Sequence, residues 1–128
     1  MRALLDTHAF LWWIENDPRL STRAREIIAD DGNDIILSAV SVWEIAIKAS
    51  LVRLAIRGDI AAFVNSNVTA NGFEVLPLLI EHALRVASLP DHHRDPFDRA
   101  LVAQAQVEDV ALLTADRAIS RYSVKILW

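Results

Sequence analysis

Cysteine is missing from this 128-residue chain, which excludes disulfide staples and thiolate metal centres and suits a reducing cytoplasm. Glycine (3) and proline (4) are few, and no repeat, low-complexity stretch or linker interrupts the sequence. One domain is therefore expected to fill residues 1–128. A basic excess is lacking too: 13 Lys and Arg against 17 Asp and Glu leave a formal charge of −4. Such a chain binds nucleic acid poorly unless bound cations reverse the field locally. No apolar run is long enough to cross a bilayer, because Asp, Glu, Arg or Asn breaks each one. The segment Met1–Asp6 is too short for a signal peptide's apolar region before its first acid. A cytoplasmic protein without a membrane partner is expected.

Apolar residues, by contrast, are abundant. A hydrophobic fraction of 53% and a mean hydropathy of +0.25 point to strands buried on both faces, or to apolar surface covered by a partner. The pattern places short strands at Arg2–Leu5, Asp34–Ser38, Phe73–Leu76, Ala111–Thr114 and Val124–Leu127. Helices are predicted from Ala9 to Glu15, after Ser21 or Thr22 to about Asp30, after Ser41 to about Ser50, from Ile60 to about Ala70, from Ile80 to Ser88, and from Pro96 to about Val107. A short helix is predicted near Arg117–Ser120. The stretch from Leu51 to Gly58 reads ambiguously. Short apolar strands alternating with helices predict an α/β fold, a short parallel sheet sandwiched by helices on both faces.

The densest chemistry lies in His92-His93-Arg94-Asp95-Pro96-Phe97-Asp98-Arg99. Proline at the first helical position and an acid in the first turn mark a helix start. Asp95 is read as the N-cap, and Asp98 as either a short capping-box partner or a residue facing a site. Ser41-Val42-Trp43-Glu44 fits a capping box as well.

In an open parallel sheet, the loops leaving the strands' carboxyl ends share one edge, where ligands bind. Asp6, Glu44 and Asp116 fall on that edge by topology, and Asp98 joins them if its helix starts there. Capping accounts for each acid singly, but caps do not require convergence, and four converging anions repel one another. Divalent cations relieve that repulsion. Hard carboxylate oxygens without cysteine favour Mg²⁺ or Mn²⁺ over zinc. Such ions activate water and stabilise the leaving oxygen of a phosphodiester.

These residues also carry a family likeness. Asp6 after the first strand, Glu44 in Ser-Val-Trp-Glu-Ile, the His-Arg-Asp-Pro-Phe-Asp-Arg run ending at Arg99, and Leu-Leu-Thr-Ala-Asp ending at Asp116 resemble a PIN-domain ribonuclease. More narrowly, they resemble the VapC-like toxins of bacterial toxin–antitoxin pairs. The resemblance covers essentially the whole chain. It implies a three-layer PIN-like fold, Mg²⁺- or Mn²⁺-dependent cleavage of RNA, a homodimer, and a cognate antitoxin partner. It also implies that Asp6, Glu44, Asp98 and Asp116 form the catalytic, metal-binding quartet. Two other readings stay open: a non-catalytic PIN-like module binding RNA or protein, and a phosphoacceptor domain of the receiver type. The second is disfavoured because the third strand ends at Pro77 without an acceptor Asp.

Around the quartet, Thr7 and Thr114 sit beside acids, Thr7 reading mainly as a turn or cap residue and Thr114 equally as support for the site. Arg99 reads equally as a phosphate contact and as a surface ion pair. His92 and His93 read first as a solvated loop and second as groups titrating near the substrate, Lys48 and Arg53 first as a solvated helix face and second as one side of a groove, and Trp12, Trp13 and Trp43 first as core or interface and second as stacking platforms for RNA bases.

Overall fold

A computed structural model describes residues 1–50 and 58–128. Arg53, and the ambiguous stretch as far as residue 57, lie outside the described residues. The element order is β1 (Arg2–Leu5), α1 (Thr7–Glu15), α2 (Thr22–Ala29), β2 (Asp34–Ser38), α3 (Ala39–Ser50), α4 (Ile60–Asn71), β3 (Glu74–Leu76), α5 (Ile80–Val86), α6 (Pro96–Glu108), β4 (Ala111–Leu113), a 3-10 turn (Ile119–Arg121) and β5 (Ile126–Leu127). The five strands form one sheet in the order β3-β2-β1-β4-β5, and every pairing is parallel. Receiver-type domains follow the 2-1-3-4-5 order of flavodoxin-like sheets, so that reading is excluded.

The strands are apolar on both faces because helices cover both. Ala3, Leu5, Ile35, Leu37, Ala111 and Leu113 face one layer, where Phe10 of α1, Ile27 and Ile28 of α2, and Val64 of α4 pack. Leu4, Ile36 and Leu112, the alternate positions, face the other layer with Leu101, Val102 and Ala105 of α6. The expected sandwich is therefore the observed one.

Caps explain most helix boundaries. Asp6, Ser21 and Asp59 each accept a backbone N–H at the start of α1, α2 and α4. Gly72, at φ 66°, closes α4 in a left-handed conformation that favours glycine. Asp95 accepts from Phe97 N–H at 2.9 Å and Asp98 N–H at 3.2 Å, with Pro96 at the first position of α6.

Some boundaries differ from the sequence expectation. Helix α3 begins at Ala39, where Ser38 Oγ accepts the Val40 N–H at 2.9 Å, so Ser41 is no cap and Glu44 lies in the second turn. Ser41 and Glu44 are instead buried together on the helix's inner face. Strand β3 starts one residue late because the Phe73 ring leaves the ladder to pack edge-on against Phe10, 6.2 Å away. The predicted last helix is only a 3-10 turn.

Helices α5 and α6 are joined by a buried polar tie. His82 Nδ1 accepts the Leu79 N–H at 3.0 Å, which leaves Nε2–H to face Glu108 at 3.2 Å. Next to it, Val75, Leu78, Leu79, Ile80 and Leu84 are exposed beside the edge strand β3. Among the described residues, no helix is long and apolar enough to cross a membrane.

Candidate active site

The sheet order makes the β1/β4 neighbours special. The chain leaves β1 toward β2 and leaves β4 toward β5, so the two exits diverge and open a crevice between them. Asp6 immediately follows β1, and Thr114 immediately follows β4. Their backbones remain in register, with Asp6 N–H donating to Leu113 O at 3.1 Å.

Asp6 is only 5% exposed. One carboxylate oxygen accepts the Ala9 N–H at 2.7 Å and caps α1; the other accepts the Thr114 hydroxyl at 2.5 Å. Thr114 Oγ1 accepts the Asp116 N–H at 3.0 Å in turn, so one threonine ties the two acids. Asp116 Oδ1 accepts the Ala118 N–H at 2.9 Å, which turns the loop and leaves its other oxygen toward solvent. Capping and convergence thus coexist in Asp6, while Asp116 holds its loop's turn.

Glu44 enters from α3 and is 2% exposed. Thr7 Oγ1 donates to its Oε1 at 2.6 Å and lies 3.0 Å from Ser41 Oγ. Lys48, one helical turn on, pairs with Oε2. Neither Thr7 nor Lys48 has the turn or solvated role expected of it. Each neutralises or orients a buried acid. The signals were present: Thr7 is adjacent to Asp6, and Glu–Lys at i,i+4 is the favourable order on a helix.

Asp98, in the first turn of α6, makes no return bond to Asp95. None of the described residues donates a hydrogen bond to its carboxyl group. Burial pushes its pKa up to about 8, with Asp95, Asp6, Asp116 and Glu44 each adding repulsion. Burial also raises the pKa of Asp6, against the lowering effect of its bonds from Thr114 and Ala9. Burial and the neighbouring carboxylates favour the protonated form of Asp98. A hard divalent ion can take the proton's place, and the donor set fits one: carboxylate oxygens, with no thiolate and with Asp98 uncommitted.

His93 belongs to the same cluster. One ligand atom each from His93, Asp98 and Asp116 lies within 4.8 Å of the others. Its Nε2 is 3.7 Å from Asp98 Oδ2, and its Nδ1 is 2.8 Å from Tyr122 Oη. The expected solvated loop is thus folded against the site. The sequence holds no local signal for this, because Tyr122 is 29 residues away.

Arg99 has a further role beside the surface ion pair expected of it. Its guanidinium donates to Pro90 O at 2.9 Å, Tyr122 Oη at 3.0 Å, Val86 O at 3.3 Å and Leu89 O at 3.5 Å. It clamps the loop between α5 and α6, leaving Asp91, at 3.8 Å, as a weak surface partner. Trp12 and Trp13 pack at the rim of the core, whereas Trp43 is 52% exposed and meets Phe97 edge-on at 4.9 Å.

Comparison with known proteins agrees with this fold. The family model described as PIN domain matches residues 3–125. No curated protein sequence matches. Among solved structures, VapBC2 from Rickettsia felis, bound to a DNA fragment from its promoter, superposes with a TM-score of 0.73 at 15% identity, covering 99% of this chain and 98% of the other. DNA-bound VapBC from Salmonella typhimurium gives a TM-score of 0.73 at 17% identity, covering 99% and 97%. The FitAcB structure from Neisseria gonorrhoeae gives a TM-score of 0.67 at 18% identity, covering 98% and 96%.

Proposed function

This chain belongs to the PIN domain family, and from that premise we propose that it is a metal-dependent endoribonuclease, the VapC-like toxin of a toxin–antitoxin pair. The observation that carries the reading is the Asp98 carboxyl, which takes no hydrogen bond from the described residues and offers a ligand atom within 4.8 Å of ones from His93 and Asp116. Structural neighbours solved as toxin–antitoxin complexes support the choice of partner.

In this reading Asp6, Asp98 and Asp116 hold Mg²⁺ or Mn²⁺, with Glu44 completing the quartet. A bound divalent ion supplies a water of lowered pKa and charge stabilisation for the leaving oxygen of an RNA phosphodiester. The protein's own part is positional. Thr114 fixes Asp6 relative to Asp116, Thr7 and Lys48 fix Glu44, and the Asp98 carboxyl, free of hydrogen bonds from the described residues, would be left to hold the cation. Charge neutralisation turns a pocket that repels phosphate into one that admits it. Residues 1–128 act as one nuclease domain in the cytoplasm. The exposed apolar surface of Val75, Leu78, Leu79, Ile80 and Leu84 supports a homodimer or antitoxin contact.

The test is cleavage of cellular RNA by purified chain with Mg²⁺ or Mn²⁺, with chelator, and with Asp6→Asn or Asp98→Asn. Cleavage that needs the ion and falls at least about 10²-fold in either variant supports the reading. Cleavage unchanged in the variants, or no cleavage with either ion, refutes it.

A further inference from the structure

Trp43 stands out after the quartet is accounted for. At 52% exposed, it is the one exposed ring among the described tryptophans, phenylalanines and tyrosine. The other tryptophans are less exposed and have partners. Trp12 and Trp128 meet edge-on at 5.9 Å, and Trp13 Nε1 donates to Asn71 Oδ1 at 2.9 Å. Trp43 meets Phe97 of α6, with centroids 4.9 Å apart and planes at 73°. Phe97 packs in turn against the core layer of α6 and acts as a pedestal. A T-shaped contact covers at most one face of an indole. With half of Trp43 exposed, a flat apolar face is left to solvent.

The place of this pair ties it to the acids. Trp43 directly precedes Glu44 on α3, and Phe97 directly precedes Asp98 on α6. Consecutive Cα atoms are only about 3.8 Å apart. The aromatic pair therefore joins the two helices where each carries an acid of the quartet. An unpaired nucleotide base suits the open indole face in flatness and in charge. The acids repel phosphate until a cation enters, whereas a neutral base stacks on an aromatic ring without that penalty. A protein partner has broader aliphatic surface to hold, at Val75, Leu78, Leu79, Ile80 and Leu84. Building on the endoribonuclease reading, we propose that Trp43 is a substrate-binding residue: its indole stacks on an unpaired base flanking the scissile phosphodiester. Every base has a π-face, so the contact supplies affinity along a single strand rather than a sequence code. It also selects against duplex RNA, where a paired base keeps its faces inside the helix stack.

A short single-stranded RNA that the wild type cleaves at one position supplies the probe. At saturating Mn²⁺, Trp43→Ala should raise KM for this RNA about tenfold and leave kcat within about twofold, because stacking is shared by ground and transition states. The Mn²⁺ concentration giving half-maximal thermal stabilisation should stay within about twofold. Trp43→Phe keeps a stacking ring and should hold KM within about threefold of the wild type. Trp43→Leu keeps apolar bulk without a ring, should match alanine, and covers the case in which the alanine variant folds poorly. The second measurement places a single abasic ribonucleotide at each position flanking the cut. At one position the wild type should lose about tenfold in kcat/KM and Trp43→Ala should lose nothing further, since ring and base make one contact. A merely structural role would not produce that non-additivity. An unchanged KM in both Trp43→Ala and Trp43→Leu, or abasic penalties equal in wild type and variant at every position, would overturn the proposal. A Trp43→Ala chain that cleaves as the wild type does but sediments differently would overturn it too, and would assign the ring to a protein contact. Each of these outcomes leaves the nuclease reading standing, whereas a wild-type chain that cleaves no RNA would refute that reading and this inference with it.

Discussion

Replacing Asp98 with Asn removes the most strained charge in the pocket, and its effect on stability has a definite sign. The folded carboxyl titrates near pH 8, against an ordinary value of 3.8. Between those two values the folded chain holds a proton that the unfolded chain has released. Stability of the metal-free wild type must therefore fall as pH rises through that window, by at most about 1.4 kcal/mol per pH unit. A window of about 4 pH units sets a ceiling near 6 kcal/mol, and solvent reaching a side chain that is 20% exposed cuts this to about 2–3 kcal/mol. Asn stays neutral at every pH. Metal-free Asp98→Asn should thus exceed the wild type by about 2–3 kcal/mol at pH 8, roughly 10 °C in melting temperature for a chain of this size, and match it more closely near pH 4. Mn²⁺ at a thousand times its dissociation constant should reverse the order, because the wild type then gains about 4.1 kcal/mol and the variant gains little. Thermal melts from pH 4 to 9, with chelator and with Mn²⁺, provide the assay. A metal-free variant less stable than the wild type at pH 8, or equal stabilisation of both by Mn²⁺, would refute the reasoning.

Further predictions rest on single contacts. Mn²⁺ affinity should rise with pH up to about 8, with about one proton released per ion from Asp98, measurable by calorimetry in buffers of different ionisation enthalpy. Thr114→Val removes the hydroxyl between Asp6 and Asp116, and should cost about 1–3 kcal/mol in denaturant melts and weaken Mn²⁺ binding. Lys48→Met leaves Glu44 buried and unpaired, so it should lower metal-free stability by about 2–4 kcal/mol, with Mn²⁺ restoring part of the loss. Arg99→Lys cannot reach the four acceptors of a planar guanidinium, and should speed proteolysis or hydrogen exchange in residues 87–95 while leaving the sheet intact.

The outline of this fold was legible because the inner strands β1, β2 and β4 are largely apolar on both faces and most helices carry their own caps. Asp6, Ser21, Asp59 and Asp95 announce helix starts within a few residues of sequence, and Asn71-Gly72 announces an end. Convergence of the acids was readable for the same reason: parallel topology sends every strand's exit to one edge. What escaped depends on contacts across the chain. Glu44 was placed one turn too early because Ser41 resembles a cap, while the cap is Ser38, whose other partner is Gln104, 66 residues away. Thr7 stands beside Asp6, but nothing local pairs it with Glu44, 37 residues on, and His93's contact with Tyr122 has no local pattern to betray it. Arg99 was misjudged for a related reason. An arginine beside an acid suggests an ion pair, whereas the loop's free carbonyls, visible only once folded, take its donors.

The central claim is that carboxylates from β1, α3, α6 and the loop after β4 surround one cation-binding centre. Diffraction from crystals soaked in Mn²⁺, recorded near the manganese absorption edge, tests it directly. The account predicts an anomalous peak within coordination distance of Asp98, Asp116 and Asp6, absent from Asp98→Asn crystals. A peak only at Glu81, His82 and Glu108, or the same peak in the variant, would contradict it.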